Sequence, residues 1–90
     1  MELEHLRMFL AVAECGSFTE AARRLYVSHS TTSRAVAALE RELDAALFRR
    51  HSRSVVLTPA GEVLVDRAEA LLREAEDLAE AVKTAAKADT

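Results

Sequence analysis

Apolar residues recur at helical spacing along the first 43 residues and predict three consecutive helices. The first covers about residues 3–14 and ends near Gly16, a residue suited to the left-handed conformation that closes many helices. The second covers about 18–25 and the third about 29–43. The predicted inward positions are Leu6, Phe9, Leu10 and Ala13, then Phe18, Ala21, Ala22 and Leu25, then Thr32, Val36, Leu39 and Leu43. Met8 and Val12 lie on another side of the first helix. This side is either covered by a second element or exposed to solvent, and both alternatives stay open.

A very short turn joins the second and third predicted helices. The second helix opens with the capping box Ser17-x-x-Glu20, and the third opens at Ser28, a good N-cap, after only Tyr26-Val27. So short a link makes the helices cross steeply and leaves the outer face of the third helix projecting from the domain. That face suits a groove in nucleic acid better than a core, because it consists of Ser30, Ser33, Arg34, Ala37 and Arg41.

After Leu43 the pattern changes to two short strand-like runs, at residues 46–50 and 54–57. The polar segment His51-Ser52-Arg53 separates them, so we expect a small hairpin, or wing, with arginines toward its tip. The loop lacks the glycine that such turns favour.

A long helix follows, with Thr58 as its N-cap and Pro59 at its first position. It runs to about Lys87, which makes it about 43 Å long and too long for a small head to cover. Its apolar positions form a heptad seam, which predicts a partner helix; the alternative is that the helix folds back on its own head. The predicted dimer-interface residues are Leu64, Ala68, Leu71, Leu72, Ala75, Leu78, Ala79 and Val82.

The pattern therefore predicts a mainly α protein: a head of residues 1–58 with three helices and a two-stranded wing, and a dimerisation helix of residues 59–90. Charge divides the chain in the same way. The net charge of −3 hides +1 on residues 1–58 and −4 on residues 59–90. Residues 23–53 carry seven arginines against three acidic side chains, which indicates a basic patch on one end of the molecule.

Other classes of function find little support in the residues. There is no glycine-rich phosphate loop and no nucleophile with a plausible base, so we expect no enzyme. Cys15, His29 and His51 are scattered without the close pairs of zinc sites, so we expect no metal and no cofactor. Without a secretory signal or a membrane-length apolar run, we expect a cytoplasmic protein. Glu40 and Glu42 are interpreted as solvated residues of the third helix that pair with arginines.

Motifs in the same order and spacing cover about 60 residues and resemble the DNA-binding domain and linker helix of LysR-type transcriptional regulators. The matching segments are Leu6-x-x-Phe9, Gly16-Ser17-Phe18-Thr19-x-Ala21-Ala22, Leu25-x-Val27-Ser28, Ser33-Arg34, Leu39-Glu40-x-x-Leu43, Leu47-Phe48-x-Arg50 and Leu57-Thr58-x-x-Gly61. The resemblance implies a winged helix-turn-helix of a bacterial regulator that binds double-stranded DNA. It also implies a homodimer joined by antiparallel long helices, bound to a pseudo-palindromic operator.

The resemblance further implies that the third helix enters the major groove and that Arg53 of the wing enters the minor groove. The predicted DNA-binding residues are Thr19, Ser28, His29, Ser30, Thr31, Ser33, Arg34, Arg50 and Arg53. His29 departs from the family's glutamine, so its contact could depend on protonation. Of Arg49 and Arg50, we expect one to pair with an acidic side chain and the other to face DNA. Arg23 and Arg24 are expected on a solvated face, one of them near a backbone phosphate.

Two alternatives stay open from the residues. One is a winged helix that does not bind DNA and works as a protein-interaction module through its long helix. The other is a different winged-helix regulator, similar to the molybdate-responsive family. Regulators that resemble this chain continue into a large C-terminal domain that senses a small molecule, so we expect the chain to be part of a longer protein.

Overall fold

A computed structural model of the chain describes residues 1–89, which form four helices and one two-stranded sheet. The helices are α1 (Leu3–Cys15), α2 (Phe18–Leu25), α3 (His29–Leu43) and α4 (Pro59–Ala88); the strands are β1 (Phe48–Arg50) and β2 (Val55–Leu57). The predicted mainly α fold, a winged helix-turn-helix followed by a long helix, is confirmed. Thr90, the last residue of the predicted second unit, lies outside the described residues, and the division at residue 58 stays a prediction.

The helix ends lie where the capping residues predict them. Gly16 closes α1 with a φ of 67°, while Ser17, Ser28 and Thr58 each accept a backbone N–H with the side-chain oxygen at the start of α2, α3 and α4. Asp44 closes α3 with a φ of 51°, in the left-handed region that Asp tolerates better than most residues.

The wing is an antiparallel hairpin in which Phe48 pairs with Leu57 and Arg50 with Val55. Two backbone hydrogen bonds between His51 and Ser54 close its turn, with N···O distances of 2.8 and 3.3 Å. Among residues 1–89, positive φ angles occur only at Gly16, Tyr26 and Asp44. The wing turn therefore needs no glycine, and the predicted hairpin forms without one.

The core lies between the three short helices, the wing and the first half of α4. Phe9, Val12 and Leu39 are almost completely buried in it, and Met8 is also buried. The open question about the second side of α1 is thus settled in favour of coverage. The expectation for Leu43 is wrong: it is 38% exposed, because α3 ends there and the chain turns away at Asp44.

The first half of helix α4 packs against the head, and the second half extends beyond it. Ala68 and Leu72 belong to the core cluster, and Leu64 and Val65 pack against it. The assignment of Ala68 and Leu72 to the dimer interface is therefore corrected: their exposed fractions of 1% and 8% leave almost no surface for a second chain. The alternative that the helix folds back on its own head holds for its first half. Leu71, Leu78 and Val82 stay exposed at 46%, 66% and 64%, and their place in a dimer interface stays a prediction.

No helix within residues 1–89 combines the length and the apolar character that crossing a membrane requires.

Candidate nucleic-acid interface

The first turn of α3 contains a hydroxyl cluster that caps the helix. Ser28 Oγ accepts the backbone N–H of Thr31 at 3.0 Å and lies 2.8 Å from Thr31 Oγ1. Ser30 Oγ lies 3.4 Å from Ser28 Oγ. Of the predicted contact residues, Ser28 and Thr31 thus form the start of the helix, and the exposed Ser30 lies beside them.

His29, Ser30 and Arg34 lie on the exposed side of α3, with Ser33 half-buried between them. His29 and Ser33 are one turn apart, as are Ser30 and Arg34, so the four side chains share a face. No acidic residue lies in the first turn, and no carboxylate among residues 1–89 pairs with Arg34. A narrow face with hydroxyl groups, an imidazole and an unpaired guanidinium can donate hydrogen bonds to base edges and phosphates.

The wing presents its arginines without acidic partners. Arg53 lies in the exposed turn, and the guanidinium carbon of Arg50 lies 4.5 Å from the centre of the Phe18 ring. In the part of the chain that the structure describes, neither Arg49 nor Arg50 forms an ion pair, so the expected pairing of one of them with an acidic side chain is wrong. An aromatic ring takes that place, and the positive charge of the wing stays unneutralised.

A cleft of about 210 Å³ separates the wing from the starts of α2 and α3. It is lined by side chains of both parts, including Thr19 and His29 on one side and Arg50 and Arg53 on the other. No acidic residue lines it. The fold thus brings Thr19, His29, Arg50 and Arg53 to one basic, hydroxyl-rich opening. The other predicted residues are not part of its lining, and these are Ser28, Ser30, Thr31, Ser33 and Arg34.

Arg23 and Arg24 are tied to acidic side chains instead. Arg23 pairs with Glu20 at 2.7 Å, and Arg24 pairs with Glu14 at 3.0 Å. The hydrogen bond to Glu14, with the nearby Cys15 thiol, raises the pKa of Arg24 above its ordinary value. Because Glu20 turns to Arg23, the structure retains only the Ser17 half of the predicted capping box.

The interpretation of Glu40 and Glu42 as partners of arginines is also wrong. Glu40 accepts the backbone N–H of Leu47 at 2.8 Å and so holds the segment that leads into the wing. Glu42 pairs with the N-terminal ammonium group at 3.1 Å. Both acids serve the fold, because α3 carries them away from the exposed face near its start.

The apolar pattern predicts Phe18 only as a core residue, yet its ring also contacts Arg50 and His29 at the cleft. These contacts depend on the folded position of the wing, which no local pattern indicates. Tyr26 lies in the turn before α3 with a φ of 58° and is 95% exposed.

Fold and site together define a winged helix-turn-helix DNA-binding domain of a transcription regulator, and comparison with known proteins identifies its family. Residues 3–62 match the family described as bacterial regulatory helix-turn-helix protein, lysR family, and the chain belongs to it. The chain is 47% identical over 72 residues to the HTH-type transcriptional regulator TfdT of Cupriavidus pinatubonensis, covering 80% of this chain and 32% of TfdT. It is 49% identical over 71 residues to XapR of Escherichia coli, covering 79% of this chain and 24% of XapR.

A solved structure gives the same result. The CbnR DNA-binding domain in complex with DNA superposes with a TM-score of 0.93 at 37% identity, covering 96% of this chain and 99% of that one. The family match decides against the molybdate-responsive alternative, and this complex supports a DNA-binding regulator rather than an interaction module without DNA. The chain spans about a third of the length of TfdT.

Proposed function

We propose that the chain binds double-stranded DNA as a homodimer and supplies the operator-reading part of a bacterial transcription regulator. The observation that supports this most is the acid-free surface formed by the start of α3 and the wing. Helix α3 would enter the major groove with His29, Ser30, Ser33 and Arg34, and Arg53 would enter the adjacent minor groove, where arginine favours narrow A·T-rich stretches.

The proposal is supported by the separation of charge in the molecule. Phosphate neutralisation requires cations that are not already paired, and Arg34, Arg49, Arg50 and Arg53 meet this condition among residues 1–89. The excess of acidic side chains belongs to residues 59–90, which carry a net charge of −4, whereas residues 1–58 carry +1. The negative overall charge is therefore compatible with DNA binding through one basic end.

Fluorescence anisotropy with labelled duplex DNA at several salt concentrations tests this proposal. We expect log K to fall linearly with log salt, with a slope of about −4 or steeper if each head of the dimer neutralises at least two phosphates. The duplex would first be enriched by the protein from a random-sequence pool. Absence of binding to any duplex at low salt would reject the proposal.

The second half of α4 supports the homodimer. Leu71, Leu78 and Val82 lie at heptad spacing and stay exposed, so a second copy of the helix would bury a continuous apolar stripe. Charges favour the antiparallel arrangement, because Lys83 and Lys87 near one end of α4 would then approach Glu62 and Asp66 near the other end of the partner helix.

Sedimentation equilibrium tests the interface. The double variant Leu71→Glu, Leu78→Glu is expected to be monomeric where the wild-type chain is dimeric. Val63→Glu is a matched control, since Val63 is 63% exposed on α4 but lies off the seam, and it should leave the mass unchanged. A dimer of unchanged mass in the double variant would place the interface elsewhere.

A regulator of this kind works in the cytoplasm, where bacterial DNA lies. The relatives are transcriptional regulators, which supports the proposal that the chain is not an enzyme. DNA binding by side chains alone needs no cofactor, and no cluster of three or more His, Cys, Asp or Glu residues within residues 1–89 is placed to hold a metal ion.

A further inference from the structure

We propose that Phe18 is a positioning residue that fixes His29 relative to the wing, so that major-groove and minor-groove contacts are energetically coupled. The inference rests on the proposed DNA binding through α3 and the wing. It concerns a residue that would not itself touch a base or a phosphate.

The ring of Phe18 contacts three side chains, two on strand β1 of the wing and one at the start of α3. It meets Phe48 of β1 edge-on, with ring centroids 5.9 Å apart and an interplanar angle of 70°. The guanidinium of Arg50 lies over it at 4.5 Å, and the imidazole of His29 lies 5.9 Å away at 45°. One side chain therefore connects the wing strand with the first residue of the recognition helix.

The anchor of this connection is rigid. Phe18 is the first residue of α2 and is 6% exposed, and Phe48 packs in turn against the fully buried Phe9 with centroids 5.2 Å apart. Aromatic pairs at these separations have preferred relative orientations. The ring of Phe18 is thus fixed by the core on one side and offers a fixed surface to His29 and Arg50 on the other.

The contact leaves both partners able to bind DNA. A guanidinium stacked on a ring uses its face, and its N–H donors point outward in the plane of the group. Arg50 is within the distance at which a cation is attracted to an aromatic face. It also lines the cleft with His29 and Arg53, so a backbone phosphate bound there would touch the wing and the recognition helix together.

The connection depends on the imidazole of His29, because a side chain without a ring would not meet Phe18 in this way. With histidine, the orientation of the first side chain of α3 depends on the same ring that orients Arg50. Displacement of the wing would therefore be felt at the base contact of α3.

A cycle of variants measures the coupling. Affinity for the enriched duplex would be determined for the wild type, His29→Ala, Arg53→Ala and the double variant, first with Phe18 present and then with Phe18→Leu in each protein. With Phe18, the loss in the double variant should differ from the product of the single losses by about threefold or more. With Phe18→Leu, the single losses should simply multiply.

Two further variants separate positioning from stability. Phe9→Leu is the matched control: it also removes a core ring that contacts Phe48, so it should lower the unfolding temperature and yet preserve the coupling. If Phe18→Leu does not fold, Arg50→Lys on the exposed surface tests the same connection, since it keeps the charge, loses the planar stack and should reduce the coupling.

The possible results are distinct. Multiplicative losses with Phe18 present, or equal coupling in the Phe18→Leu series, would overturn the positioning role while leaving DNA binding intact. Loss of coupling in Phe9→Leu as well would attribute the effect to general softening of the core and would also overturn it. Failure of the wild-type chain to bind or enrich any duplex would instead reject the proposed function on which the inference rests.

Discussion

Replacement of Gly61 by alanine should destabilise the protein, although alanine is normally the better helix residue. Gly61 lies in the first turn of α4 and is buried against the segment that leads into the wing. A Cβ atom there would collide with the carbonyl oxygen of Leu47 and would stand 2.9 Å from Cδ2 of Leu57 and 3.2 Å from the carbonyl carbon of Leu47. The leucine side chain can rotate away, but the carbonyl group cannot.

The carbonyl of Leu47 is fixed because it accepts the backbone N–H of Thr58 at 3.0 Å. Overpacking of this kind costs about 1–3 kcal/mol, and the need to move backbone favours the upper part of that range. The exchange of glycine for alanine in a helix returns up to about 1 kcal/mol. The free energy of unfolding should therefore fall by about 2 kcal/mol, which for a chain of this size lowers Tm by roughly 8–16 °C.

Thermal unfolding followed by circular dichroism at one fixed protein concentration measures this change, since a dimer's Tm depends on concentration. Ala70→Gly, at an exposed position in the middle of α4, isolates the helix-propensity contribution and should cost about 1 kcal/mol. A Gly61→Ala variant as stable as the wild type, or more stable, would refute the reasoning that close backbone approach fixes α4 against the wing.

Three other predictions concern the helix–wing junction and the proposed interface. Glu40→Ala should cost about 1–3 kcal/mol in urea unfolding because the N–H of Leu47 loses its acceptor, whereas Glu40→Gln and the exposed Glu42→Ala should cost less than about 1 kcal/mol. Thr58→Ala should lower the free energy of unfolding by about 1–2 kcal/mol, because Thr58 Oγ1 accepts the Gly61 N–H and donates to the Ala46 carbonyl at 2.6 Å. Thr58→Ser keeps this hydroxyl group, so an equal loss of stability in that variant would contradict the role of the cap. Arg34→Ala should weaken binding to the enriched duplex about 5- to 150-fold, as measured by anisotropy, and should relax the base preference at one position, as measured by renewed selection. Arg73→Ala on α4 is the control, and a comparable loss of affinity in that variant would argue against a local contact of Arg34.

The order of helices and strands could be predicted from the sequence because the residues that begin and end the helices act locally. Ser17, Ser28 and Thr58 act on amide groups within their own first turn, and Gly16 acts on the turn that it closes. Such residues carry their meaning without knowledge of the rest of the chain. The helical spacing of apolar residues likewise predicts most of the core, including the buried positions of Phe9 and Leu39.

Several of the failures arise from contacts between segments that are separate in the chain. Heptad spacing on α4 could not distinguish residues that pack on the chain's own head, such as Ala68 and Leu72, from residues available to a partner, such as Leu78. The pattern on α3 predicts a solvated Glu40, because it does not show that the chain after α3 brings the backbone N–H of Leu47 to the Glu40 carboxylate. The stacking of Arg50 on Phe18 requires the wing to fold over α2, which no local pattern encodes.

The measurement that tests the central claim most directly is a hydroxyl-radical footprint of the wild-type dimer on the enriched duplex. Two heads held by α4 should protect two half-sites on the same side of the DNA, with centres separated by one helical turn of about 10 base pairs or a multiple of it. Within each half-site, protection should extend from a major groove into the adjacent minor groove. A single protected block, or two blocks on opposite sides of the duplex, would contradict a dimer that reads DNA with α3 and the wing.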